Sequence, residues 1–88
     1  MRVEFFNADG GGDLFTIQKD DVTSFVKLLK SMDKINICFD TGDYILGTLD
    51  ELIYEVIFDE QDNPIEILKV YIYDFRDRLR DQKNTNEE

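Results

Sequence analysis

The sequence has no histidine and no tryptophan, one cysteine and one proline, and not a single basic residue between Lys34 and Lys69. Each absence removes some chemistry. Without histidine, the Ser–His and Cys–His pairs that activate a nucleophile are closed. Zinc sites built from histidine and cysteine lose nearly all their donors. The lone Cys38 cannot make an internal disulfide. It sits in the apolar run between Lys34 and Asp40 and reads as a small buried hydrophobe, because no cation follows before Lys69 to lower its pKa. No apolar run approaches the roughly 18 residues of a membrane helix. The opening segment turns polar before a secretory apolar region could form, so a cytoplasmic, reducing location is expected.

What remains is short and acidic: 88 residues, with 20 acids against 10 bases and a formal charge of −10. This length suits one domain, expected over residues 1–83, with a frayed tail at 84–88. The apolar runs Ile35–Phe39 and Leu52–Phe58 argue against disorder of the whole chain. The net charge repels nucleic acid and anionic membrane and attracts basic protein surfaces.

Periodicity supplies a fold expectation. Met1–Asn7 and Leu14–Ile17 flank the turn Ala8–Asp13, whose three adjacent glycines favour a hairpin. Val22, Phe25, Val26, Leu29 and Met32 recur at helical spacing behind Asp20 and Asp21, either of which can cap the helix. Ile35–Phe39 and Tyr44–Leu46 flank Asp40–Asp43 as a second hairpin. From Leu52 the pattern alternates, with Leu52, Tyr54, Val56 and Phe58 on one side and Glu51, Ile53, Glu55, Ile57 and Asp59 on the other. A polar turn over Asp59–Pro64 leads to Ile65–Tyr73, rich in β-formers.

A helical reading competes over residues 49–73. Thr48 and Glu51 have capping-box spacing, and Ile65, Leu68, Ile72, Phe75 and Leu79 fit a heptad. Strands are preferred because Ile, Val, Tyr and Phe dominate there. Asp74–Lys83 is charge-laced and suits one or two helical turns. The expected fold is α+β: an antiparallel sheet of five to six short strands, ββαββββ, with one helix packed on one face.

Candidate chemistry is thin. Paired carboxylates can do acid–base work, but so small a domain offers little concave volume to desolvate one, and no enzyme is expected. Gly10–Gly12 lacks any phosphate-loop spacing, and Asp9 and Asp13 flank it where they would repel phosphate. Asp59, Gln61 and Asn63 open like a calcium loop, yet Pro64 replaces its glycine and Val70 its final glutamate. No cofactor and no metal is expected.

The informative feature is the charge asymmetry. Asp40, Asp43, Asp50, Glu51, Glu55, Asp59, Glu60, Asp62 and Glu66 fall in the stretch without a base. If this stretch forms adjacent strands and turns, the acids gather on one side, and Glu51, Glu55 and Asp59 form an anionic row. The expected partner-binding residues are Asp40, Asp43, Glu51, Glu55, Asp59, Glu60, Asp62 and Glu66. Tyr71 and Tyr73 join them if Leu68, Val70 and Ile72 face the core. The bland alternative is a solvated face that aids solubility.

In size and charge alone, the chain resembles the small acidic DNA mimics that phages and mobile elements use against nucleases, including anti-restriction and anti-CRISPR proteins. No motif is shared. The implied role is a non-catalytic inhibitor occupying a basic, nucleic-acid-binding surface of a partner protein, such as a nuclease. Two alternatives stand beside it: an immunity or antitoxin protein against a basic toxin, and a structural subunit that self-associates, for instance as a homodimer.

Overall fold

A computed structural model describes residues 1–75. In chain order the elements are β1 (Arg2–Asn7), β2 (Asp13–Gln18), α1 (Val22–Ser31), β3 (Ile35–Cys38), β4 (Tyr44–Phe58) and β5 (Pro64–Asp74). The strands form one curled, mixed sheet in the order β2-β1-β5-β4-β3. β1–β2, β3–β4 and β4–β5 are antiparallel, whereas β1 and β5 run parallel.

The expected ββαββββ antiparallel sheet is therefore corrected twice. First, Tyr44–Leu46 and Leu52–Phe58 are the two ends of a single 15-residue strand, so the order is ββαβββ. A bulge keeps β4 continuous: Leu49 pairs with Ile72 and Glu51 with Tyr71, leaving Asp50 as the extra residue. The bulge also lets Leu49 and Leu52, three residues apart, both pack on the core. Second, β5 returns to lie between β1 and β4. The need for a long parallel crossover rules out parallel pairing of consecutive strands only. Here β2, α1, β3 and β4 together make the connection from β1 to β5.

The core lies on the sheet's inner face. Val3 and Phe5 pair with Leu68 and Val70, and these join Ile72, Ile45 and Leu29 in one buried cluster. Phe5 stacks on Phe15 with ring centroids 4.3 Å apart and meets Phe25 of the helix edge-on at 6.2 Å. α1 carries the chain from the β2 edge to the β3 edge. Asp21 caps it, one carboxylate oxygen accepting from the Ser24 N–H at 3.0 Å and the other from the Ser24 hydroxyl at 2.8 Å. These hydrogen bonds hold the Asp21 carboxyl below its ordinary pKa.

Val22, Phe25, Val26 and Leu29 pack on the sheet as the periodicity requires. Met32 does not complete the stripe: it lies past the last helical turn and is exposed. Cys38 is also exposed rather than buried, because Ile35 and Ile37 take the inward positions of the edge strand β3. Asp74 ends β5 as a strand residue, and residues 76–83 of the charged segment and the tail at 84–88 fall outside the described residues.

Gly47 marks the tightest point of the sheet. A Cβ there would run into the Tyr73 carbonyl oxygen and come within 2.8 Å of the Ile72 side chain. Gly47→Ala is expected to destabilise the fold by about 1–3 kcal/mol through overpacking. Leu29→Ala should cost about 2–5 kcal/mol as a core truncation, and exposed Met32→Ala less than about 0.5 kcal/mol. Chemical denaturation of the three variants checks that order.

Candidate functional site

β4 and β5 are longer than their outer neighbours. β1 runs beside β5 only from Ile67 to Ile72, and β3 beside β4 only from Tyr44 to Gly47. Past those limits, the pairs Val56–Glu66, Ile57–Ile65 and Phe58–Pro64 have only each other among the described residues. Residues 56–66 therefore project as a two-stranded arm rooted on Tyr54 and Glu55.

Neither face of this arm is covered. Tyr54, Val56 and Phe58 lie on the inner side, aligned with buried Leu68, and Ile57 and Ile65 lie on the outer side. Phe58 and Tyr54 keep 63% and 58% of their surface exposed, and Val56, Ile57 and Ile65 are exposed as well. A strand in a small antiparallel sheet normally hides one face. A contiguous apolar patch left open on both sides is the kind of surface that marks protein contact.

The tip is acidic and tightly folded. One Asp59 carboxylate oxygen accepts from the backbone N–H of Gln61 and of Asn63, both at 2.9 Å. The Asp59 N–H donates to the Asn63 carbonyl at 3.0 Å, and the Asp62 N–H to the Asp59 carbonyl at 3.0 Å. Asp62 has φ 60°, a left-handed conformation that aspartate tolerates better than most residues. Pro64 follows at the first position of β5, where its missing N–H costs least. Hydrogen bonds from Asn63 and then Gln61 hold the Asp59 carboxyl below its ordinary value.

The expected acidic face does not assemble. Asp40 and Asp43 sit in the β3–β4 turn, whereas Asp59, Glu60 and Asp62 sit at the other end of β4. At about 3.3 Å per residue the two groups are roughly 45 Å apart along the strand. Glu51 and Glu55 share the outer face, but Glu55 is paired with Lys69 at 3.1 Å. That bond holds the Lys69 ammonium protonated to higher pH than usual. Asp59 is bound into the turn, so the row of three carboxylates has three different environments. Glu66 lies on the inner side of the arm and accepts the Tyr54 hydroxyl at 2.6 Å, which raises the tyrosine pKa.

Tyr71 and Tyr73 do lie on the outer face, with Leu68, Val70 and Ile72 on the core side as anticipated. Both are half-buried. Tyr71 stacks on Phe6 at 5.1 Å, and Lys69 stands 5.7 Å from the Phe6 ring. With Arg2 and Glu4 paired at 3.1 Å nearby, this face is nearly balanced in charge. The residues that sequence reasoning passed over are the apolar ones of the arm. Their signal was present: Val56, Ile57 and Phe58 are consecutive, so no pleat could hide all three on one face.

Beneath and beside α1 lies an open groove of about 290 Å³, walled by apolar side chains apart from Lys34. A smaller hollow of about 140 Å³ lies at the β1–β2 irregularity near Glu4 and Asp13. Among the described residues no cluster of three or more carboxylates or thiols is placed to hold a metal, and no helix is long and apolar enough to cross a membrane. No family model, curated protein or solved structure matches this chain.

The Asp59 bonds make the turn pH-sensitive in a definite direction. A carboxyl whose folded pKa is depressed adds stability above its ordinary value of 3.8 and loses that contribution as pH falls through the lower folded value. A carboxyl-resolved NMR titration should show Asp59 protonating below the ordinary aspartate value of 3.8. The Gln61 and Asn63 amide shifts should move in the same step.

Proposed function

We propose that this chain is a non-catalytic protein-binding module whose contact element is the β4–β5 arm. The observation that carries this reading is the exposure of Tyr54, Val56, Ile57, Phe58 and Ile65 on a projection whose tip bears Asp59, Glu60 and Asp62. Aromatic and branched side chains supply contact area, and the acidic rim selects a basic surround. The fitting partner is a protein with an apolar pocket set in a basic surface. A nucleic-acid-binding groove is one such surface, and an inhibitor acting on a nuclease would fill it. A reducing, cytoplasmic setting, in which exposed Cys38 stays a thiol, belongs to the same proposal.

The arm, rather than a row of carboxylates, is the contact element. Of the acids first considered, Glu60 and Asp62 have the most favourable position, since they lie at the tip, with no cation in the surrounding sequence. Glu55 and Asp59 already satisfy internal partners, and Asp40 and Asp43 point to a different end of the molecule.

Affinity capture from a host lysate with a salt gradient tests this, using wild type beside Phe58→Ser and a Glu60→Gln, Asp62→Asn double variant. Phe58→Ser should release the partner at least tenfold more readily at every salt concentration. The double variant should bind more weakly and with less dependence on salt. Unchanged capture by Phe58→Ser would remove the arm from the interface.

A further inference from the structure

The apolar groove and the apolar arm are complementary. Phe5, Phe15, Phe25, Leu29, Ile35 and Ile37 form the walls, and Leu28 and Met32 at the helix rim are 52% and 45% exposed. A cavity of about 150 Å³ is enough to hold a benzene ring, so the groove of about 290 Å³ can take the Phe58 ring with a smaller neighbour such as Val56. Two cations stand at the groove, each with an aspartate (Asp20 or Asp33) beside it in sequence. Lys34 lines the groove, and Lys19 stands 5.1 Å from the ring of Phe25, one of its walls. The arm brings the opposite chemistry, an apolar inner side ending in Asp59, Glu60 and Asp62.

We infer that a second copy of this chain fills the groove, with the arm of each protomer seated under the helix of the other in a two-fold dimer. Each copy carries one arm and one groove, so a reciprocal exchange covers both exposed apolar features and leaves no open end to add further copies. The net charge of −10 per chain opposes approach of two copies at long range. The local pairing of tip carboxylates with Lys19 and Lys34 opposes that repulsion where the surfaces meet. Burial of the apolar side chains carries the contact, so the dimer persists at 0.5 M salt, roughly the range in which a charge-driven complex is screened. The inference does not depend on the proposed function. It adds a consequence: self-association and capture of another protein compete for the same arm.

Light scattering coupled to size exclusion, over a concentration series, reads the assembly. Wild type should be a dimer. Phe58→Asp, altering the arm, and Leu28→Glu, altering the groove rim, should each raise the dimer dissociation constant at least tenfold. Both sites are exposed, and unchanged circular dichroism establishes that the variants are folded. Mixing the two variants restores one of the two contacts, because one variant retains an intact groove and the other an intact arm. A 1:1 heterodimer in the mixture supports arm-in-groove exchange. A wild-type monomer throughout, or a dimer indifferent to Leu28→Glu or to Phe58→Asp, overturns it. Leu28→Glu leaves the arm itself unaltered, so its capture of a partner protein tests the proposed function separately.

Discussion

The structure depends on the pairing of β5 with both β1 and β4. Val70 and Ile72 are fully buried on the inner side, and Ile67 is fully buried on the outer side. Among the described strands, only β5 joins the two hairpins into a single sheet. The arm follows from the same constraint. β1 has six residues and covers β5 from Ile67 onward, so the part of β5 before Ile67 keeps only β4 as a partner. An isolated two-stranded ribbon is marginal in water. This one is held by its continuity with a five-stranded sheet at the root and by the Asp59 hydrogen bonds at the tip.

The distribution of charge has a local explanation before any functional one. Aspartate is used where the chain turns or changes register: Asp21 at the helix cap, Asp40 and Asp43 in the β3–β4 turn, Asp50 at the bulge, Asp59 and Asp62 at the arm tip. Its short side chain competes well for backbone N–H groups at such places. Much of the acidity is thus a consequence of turn chemistry distributed around the sheet. What turn chemistry does not require is hydrophobic surface on both sides of the arm.

The helix and both outer hairpins were legible because each depends on neighbours in sequence: Val22 to Leu29 at helical spacing, the glycines after Asp9, and Asp40–Asp43 between two apolar runs. Two features were not. The β1–β5 pairing joins residues more than sixty positions apart, and no local pattern records which strand a buried run such as Ile67–Ile72 will adjoin on its second side. The Asp50 bulge shifts the alternation by one, so one strand read as two, with a helix as a rival. The acids are spread apart for a related reason. Asp40 and Asp43 could meet Asp59, Glu60 and Asp62 only if the strand between them turned back, and β4 instead runs on past Leu46 and separates them.

An exposed arm of this kind must avoid indiscriminate strand pairing, since Thr48–Phe58 of β4 has no β3 partner among the described residues. The bulge at Asp50 breaks the regular edge, and the charges of Glu51 and Glu55 stand beside it. At the tip, Glu60 and Asp62 keep the like-charged ends of two arms apart, which disfavours arm-on-arm stacking. A contact through side chains into a basic-rimmed apolar pocket meets none of these obstacles. The same features that disfavour edge-to-edge aggregation therefore favour insertion of the arm into a pocket, whether of a second copy or of another protein.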